Sequence, residues 1–217
     1  MSEPIGEIVE VSSTSFVAQC TPPRDARPGL CDPPALGAFV RISPPASTPD
    51  PDPFLPRQAI FAIVCNAQTL PLTPGRRPVA LGFDNEDDIR LHQPQVFELL
   101  STEFSGMIVA YRGSEGPIRR HIPPRPPRIH GLVHACDDTE VAELTSNVSF
   151  FRTVLDPGDA FSGGCASDSL IAACLRRAVE VHTSSPDEFL LSAGRKLLDI
   201  LGGDYGRLEA IIDAVLD

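Results

Sequence analysis

The sequence predicts an α+β protein, a small N-terminal β-barrel of about six strands followed by a helical unit. Three observations carry this reading. Of the 23 prolines, 21 lie at or before position 127. The charge balance shifts at nearly the same place: residues 1–136 hold 14 acids and 12 bases, whereas residues 137–217 hold 15 acids and 6 bases. Short alternating runs bounded by Gly and Pro fill the first part, and apolar residues at helical spacing fill the second. The expected organisation is a barrel over 1–122, a Pro/Arg-rich connector and strand over 123–136, and an acidic helical unit over 137–217. At 217 residues, 42% hydrophobic and 22% charged, the chain can bury a full core, which excludes collagen-like and wholly disordered classes.

Within the first part, residues 5–11 and 14–20 are strand candidates joined by a tight turn at Ser12-Ser13. Residues 37–42, 58–68, 103–112 and 117–122 supply four more. Gly113-Ser-Glu-Gly116 should turn the last two into a hairpin. In the 58–68 run Ala59, Phe61, Ile63 and Cys65 fall on one face, yet Ile60, Ala62 and Val64 on the other are apolar as well. Residues 107–111 share this two-sided character. A barrel strand apolar inside and out must have its outer face covered, by the rest of the chain or by a partner. Two interruptions are expected: an extended loop at 43–56, with six prolines in fourteen residues, and a helical insertion at 84–100 that Pro94 breaks in two.

The second part reads as short helices. Asp137 with Glu140 fits a capping box, followed by Val141, Leu144 and Val148. A helix capped by Ser167 or Asp168 should run to about His182. Ser185-Pro186-Asp-Glu188 places a cap residue, a first-turn proline and acids in sequence, and that helix should end at Gly202-Gly203. The last helix follows Asp204 and puts Leu208, Ile211, Ile212, Val215 and Leu216 on one stripe.

The chemistry open to this chain is narrow. Lys196 is its single lysine and lies in a predicted helix, so a phosphate-binding P-loop is excluded. No paired catalytic carboxylates stand out, no cofactor is implied, and the six cysteines form no C-x-x-C pair. Gly163-Gly-Cys-Ala-Ser167 before a helix can cradle an anion or simply lead into a cap. His130, His134 and Cys136 would share one face of a strand over 129–136; they are either metal ligands or an ordinary strand face. Arg112, Arg119, Arg120, Arg125 and Arg128, with Glu115 as the sole acid among them, form a basic stretch in a chain of net charge −11. Arginine forks suit phosphate or an acidic protein surface, or they pair with the protein's own acidic helices. Pro123-Pro-Arg-Pro-Pro-Arg128 should adopt polyproline II, as a strut between the two units or as a ligand for an SH3-type domain. The first residues carry acid where a signal peptide carries base, and the longest apolar run is seven residues, 59–65. Both point to a cytoplasmic protein without a membrane span.

The strand pattern resembles a known family. Ile5-Gly-Glu-Ile-Val-Glu-Val-Ser-Ser-Thr-Ser-Phe-Val-Ala-Gln-Cys20 is similar to the opening hairpin of the HAS-barrel, the small barrel shared by hexameric DNA translocases and ATP synthase subunits. Gly37-Ala-Phe-Val40 resembles its third strand, and residues 60–64 and 107–111 resemble later ones. With Pro123-Pro-Arg-Pro-Pro-Arg-Ile-His130 and Phe150-Phe-Arg-Thr-Val-Leu155, the whole chain is similar to short stand-alone bacterial HAS-barrel proteins. The resemblance implies an assembly and docking role. The ATPase core that follows the barrel in the family has no counterpart in these 217 residues, so no active-site residue carries over. The expected function is thus a non-enzymatic assembly or adaptor protein that self-associates or docks onto a ring ATPase or DNA-processing partner. A nucleic-acid-binding barrel using the 112–128 arginines is the alternative, handicapped by net charge and by the absence of Trp. A metal-dependent enzyme at His130, His134 and Cys136 is a third.

Overall fold

A computed structural model describes residues 3–21, 31–43, 58–73, 75, 77–113, 116–155 and 167–216. The proline-rich loop at 43–56, beyond residue 43, and the glycine-rich junction at 163–166 lie outside the described residues, as do positions 114 and 115 of the predicted hairpin turn.

Six strands close an antiparallel barrel: β1 (Gly6–Val11), β2 (Ser15–Cys20), β3 (Phe39–Ile42), β4 (Ala59–Pro71), β5 (Leu100–Arg112) and β6 (Leu132–Ala135), in the order β1-β2-β5-β4-β3-β6. The turn between β1 and β2 is tied by the Ser12 hydroxyl, which accepts from the Thr14 and Ser15 amides at 3.3 and 3.0 Å. Between β4 and β5 lie α1 (Glu86–His92) and α2 (Gln95–Glu98), divided at Pro94 as expected. Asn85 caps α1 by accepting from the Asp88 amide at 2.9 Å, and three acids occupy its first turn.

The sixth strand is not the 117–122 segment that the sequence suggests. That segment makes one bridge, Arg119 to Tyr111, and then leaves the sheet. β5 is paired with β4 along its full length and with β2 over 103–107, so the 117–122 segment meets only the short open edge past residue 107. Closure instead needs a strand between β1 and β3, and β6 meets both: Val133 opposes Gly6 on one side and Ile42 on the other. The barrel therefore continues past residue 122 and draws its last strand from the 123–136 stretch. The proline run before it lies against the molecule, with Pro123 and Pro127 buried and Pro124 and Pro126 exposed.

The helices α3 (Asp138–Thr145), α4 (Phe151–Leu155), α5 (Ser167–Val181), α6 (Pro186–Ile200) and α7 (Tyr205–Leu216) follow, with a 3₁₀ turn at Val148–Phe150. The capping box is present on α3, each of Asp137 and Glu140 accepting from the other's backbone amide, at 2.9 and 3.1 Å. Pro186 opens α6, although the Ser185 hydroxyl makes no capping bond.

Among the described residues the apolar side chains form two cores. Inside the barrel lie Ile8, Phe16, Ala18, Val40, Ile42, Ile60, Ala62, Val64, Phe104, Ile108 and Val133. Outside it, Phe39, Phe61, Ile63, Cys65, Met107 and Val109 join Leu144, Phe150, Phe151, Leu170, Ile171, Leu175 and Leu197 of the helical part. The cover demanded by the two-sided strands is supplied by the chain's own helices.

Two glycines permit close approach. Gly37, at φ 79°, lies under α5, where a Cβ would come within 2.7 Å of the Ala173 methyl; the Cys174 thiol donates to its carbonyl at 3.6 Å. Gly106 lies opposite Phe16, whose ring occupies the space a side chain would need, 2.3 Å from the Cβ position. Replacing Gly106 with Ala is expected to cost about 1–3 kcal/mol of unfolding free energy in urea, by overpacking. Phe16→Leu in the same chain should recover part of that loss, because the two sites share one volume.

Candidate functional site

The five arginines of the basic stretch go to different partners. Arg112, at the end of β5, pairs with Glu143 on α3 and stacks its guanidinium 5.7 Å from the Phe61 ring centre. Arg120 reaches the C-terminal end of α3 and donates to the carbonyls of Leu144 (2.9 Å) and Glu143 and to the Ser146 hydroxyl (2.8 Å). These are the carbonyls a helix leaves unpaired at its end, where positive charge is also favoured. Burial lowers the Arg120 pKa from its ordinary value, and Glu143 acts in the opposite direction. Arg119 lies on Tyr111, 6.0 Å above the ring and 3.5 Å from its hydroxyl. Arg125 is half-buried and Arg128 exposed.

Helix α3 is therefore gripped from several directions. Arg41 of β3 pairs with Glu140, Arg112 with Glu143, and Arg177 of α5 with Asp138. Arg41 and Glu140 are both mostly buried, which makes theirs the pair least weakened by solvent. Arg112 and Arg120 are engaged with the acidic helical part of their own chain.

His130, His134 and Cys136 do not converge. His130 sits in a turn at φ 64°, exposed, with its Nδ1 2.6 Å from Glu7 Oε1. His134 lies on β6 opposite Arg41, and Cys136 lies under the helices, its thiol pKa pushed well up by burial. Among the described residues no group of three or more His, Cys, Asp or Glu side chains is placed to hold a metal ion.

A cleft of about 380 Å³ opens between the end of α3 and α6, lined by Ser146, Asn147, Phe189, Ser192, Lys196 and Asp199. Behind it, His182 stacks on Phe189 at 4.2 Å and meets the Thr145 hydroxyl at 2.9 Å. Thr145 gives its one proton to the Val141 carbonyl at 2.7 Å, so the His182 Nε2 must be the donor in their bond. A second depression of about 420 Å³, between α6 and α7, is apolar, with Leu190, Leu191, Leu198, Leu208 and Ile212 in its walls.

An exposed apolar segment lies where the sequence reading placed no site. Strand β4 runs on past its pairing with β3 and stays in register with β5 from Asn66 opposite Ser105 to Pro71 opposite Leu100; β2 flanks β5 as far as Glu103, so the pairs from Thr69 opposite Thr102 onward form a two-stranded ribbon. Residues 66–70 are all exposed. The segment at the end of this ribbon carries Leu72, Val79 and Leu91 at 53%, 82% and 74% exposure, with Leu81 and Leu99 also exposed. Part of its signal was legible: Leu72, Val79 and Leu81 fall between the predicted strand 58–68 and the predicted helical insertion 84–100, with no alternation or helical stripe of their own.

Comparison with protein-family models finds none that matches the chain, and comparison with curated proteins finds no significant match. Among the described residues no helix is long and apolar enough to cross a membrane.

Two outcomes follow from the local geometry. Arg120→Ala should cost about 1–2 kcal/mol in urea unfolding, through the unsatisfied helix end, whereas Arg128→Ala should stay within about 0.5 kcal/mol. Burial holds the His182 pKa below its ordinary 6.5, so the unfolded chain binds the proton more tightly than the folded one. The stability that neutral His182 contributes is thus present above pH 6.5 and is lost as pH falls below that value toward the lower folded pKa. Thermal unfolding measured from pH 7.5 to 5.5 should show this fall, and His182→Gln should reduce it.

Proposed function

We propose that this protein is a non-enzymatic assembly or adaptor protein, acting in the cytoplasm, and that it docks through the β4–β5 ribbon and the apolar segment at its end. The observation that supports this most directly is the exposure of Leu72, Val79 and Leu91, all within the one connection between β4 and β5. Scattered apolar residues on a surface are ordinary, but several within one connecting segment favour a binding surface. The role agrees with the HAS-barrel resemblance, in which the barrel is a docking element of ring ATPases or DNA-processing complexes. Here the docking surface falls on the ribbon, because the helices already cover much of the outer wall.

The nucleic-acid reading keeps less support. Of the five arginines, Arg112 and Arg120 already neutralise or cap α3, and phosphate binding gains from each free cation that can displace counterions.

The test is light scattering after size exclusion, combined with affinity capture of partners, on the wild-type chain and on Leu72→Ser/Val79→Ser/Leu91→Ser. The wild type should self-associate or retain a stoichiometric partner, and the triple variant should lose it while unfolding at an unchanged temperature. A wild-type chain that is strictly monomeric and partnerless, or a triple variant that associates equally well, overturns the proposal.

A further inference from the structure

We infer that the outer edge of β4 at residues 66–71 pairs with the same edge of a second copy of this chain, about a two-fold axis through Gln68. This names the partner at the ribbon and rests on the docking reading above.

Strand β4 has neighbours on both sides only in its first half. β3 pairs with it from Ile60 to Ile63, and Val64 exchanges bonds with Gly37 and Ala38 at 2.8 and 3.0 Å. Beyond Val64 the pairing with β5 continues to Pro71, while the opposite edge has no strand beside it among the described residues. A bulge at Cys65 resets the phase, since Val64 opposes Gly106 and Asn66 opposes Ser105. The Leu72 amide donates to the Leu99 carbonyl at 2.9 Å, toward β5. Counting back through the ladder, Asn66, Gln68 and Leu70 direct their backbone groups to β5, and Ala67 and Thr69 direct theirs outward. The 3.3 Å approach of the Thr69 and Thr102 hydroxyls fits this phase, because side chains lie closest at pairs that share no backbone bonds.

An edge with N–H and C=O groups at Ala67 and Thr69 is complementary to itself. Across a two-fold axis at Gln68, Ala67 of one copy meets Thr69 of the other and each pair exchanges two hydrogen bonds, giving about four in all. Edge strands are ordinarily protected by charge, by proline or by a covering segment. Strand β4 carries no charged residue anywhere along its length, and its sole proline, Pro71, comes at the end. In a chain of net charge −11, self-contact is favoured where the surface is neutral, and this exposed edge meets that condition. The acid across the ladder, Glu103, lies opposite Gln68 on β5, so the two copies' glutamates would be three strand spacings apart, about 14 Å. That exceeds the screening length of about 8 Å at physiological salt.

Two variants test the pairing. Thr69→Pro removes an outward N–H and leaves the bonds to β5 in place, so the barrel should keep its circular dichroism and the dimer should dissociate at least tenfold more readily in sedimentation. Gln68→Cys places two thiols across the axis at a pair whose Cα separation is about 4.5 Å, within disulfide range. Mild oxidation should then link it as a dimer of twice 23.3 kDa, well above the yield from the wild-type chain or from Ala67→Cys, which has no self-opposed position. A wild-type monomer at all concentrations, or a dimer that ignores Thr69→Pro and does not link through Gln68→Cys, overturns the two-fold pairing. If the monomer still retains a different partner through Leu72, Val79 and Leu91, the docking proposal stands without this one.

Discussion

A barrel wall that is apolar on both faces governs the rest of this chain. Phe39, Phe61, Ile63, Cys65, Met107 and Val109 project outward from β3, β4 and β5, away from an interior already filled by Val40, Ile60, Ala62, Val64 and Ile108. Burying a large apolar side chain is worth about 1.5–3 kcal/mol, so this wall represents on the order of 10 kcal/mol. That is comparable with the whole net stability of a domain, about 5–15 kcal/mol. The helices are therefore a structural requirement of the barrel rather than an appended module, and the two parts share one of their two cores.

The polar contacts arrange themselves around that layer. Helix α3 comes first after the barrel closes, and it is held by Arg41 and Arg112 from the sheet, Arg177 from α5 and Arg120 at its C-terminal end. A sheet part near charge balance and a strongly acidic helical part thus meet through a few well-placed arginines. An exposed apolar segment lies away from this contact, at the end of the β4–β5 ribbon, with none of its exposed leucines or valines in either core.

Local signals were legible wherever neighbouring residues decide the outcome. The Asp137–Glu140 box, Pro186 at the start of α6, the break at Pro94 and the glycines after α6 all act over four residues or fewer. The two-sided run from Ala59 to Cys65 also announced its burial, because alternation fails when both faces are dry. The arginine stretch was legible as a charge feature but not as a site. Whether Arg120 meets a phosphate or a helix end depends on where residues 143–146 return in space.

By itself, then, the sequence determined the class of the fold, most of its strands and helices, the need for a cover on the outer wall and the exclusion of a P-loop. Tertiary structure decided which segment closes the barrel, what covers the wall, where the arginines go and how far β4 outruns its neighbours. The physical reason is the range of the interactions. Caps and turns are settled within a few residues, whereas β6 is chosen by unpaired edges on β1 and β3, far away in the chain. Residues 117–122 have strand character of their own, but they make a single bridge to the short open end of β5, so an intrinsic preference yields to the availability of partners.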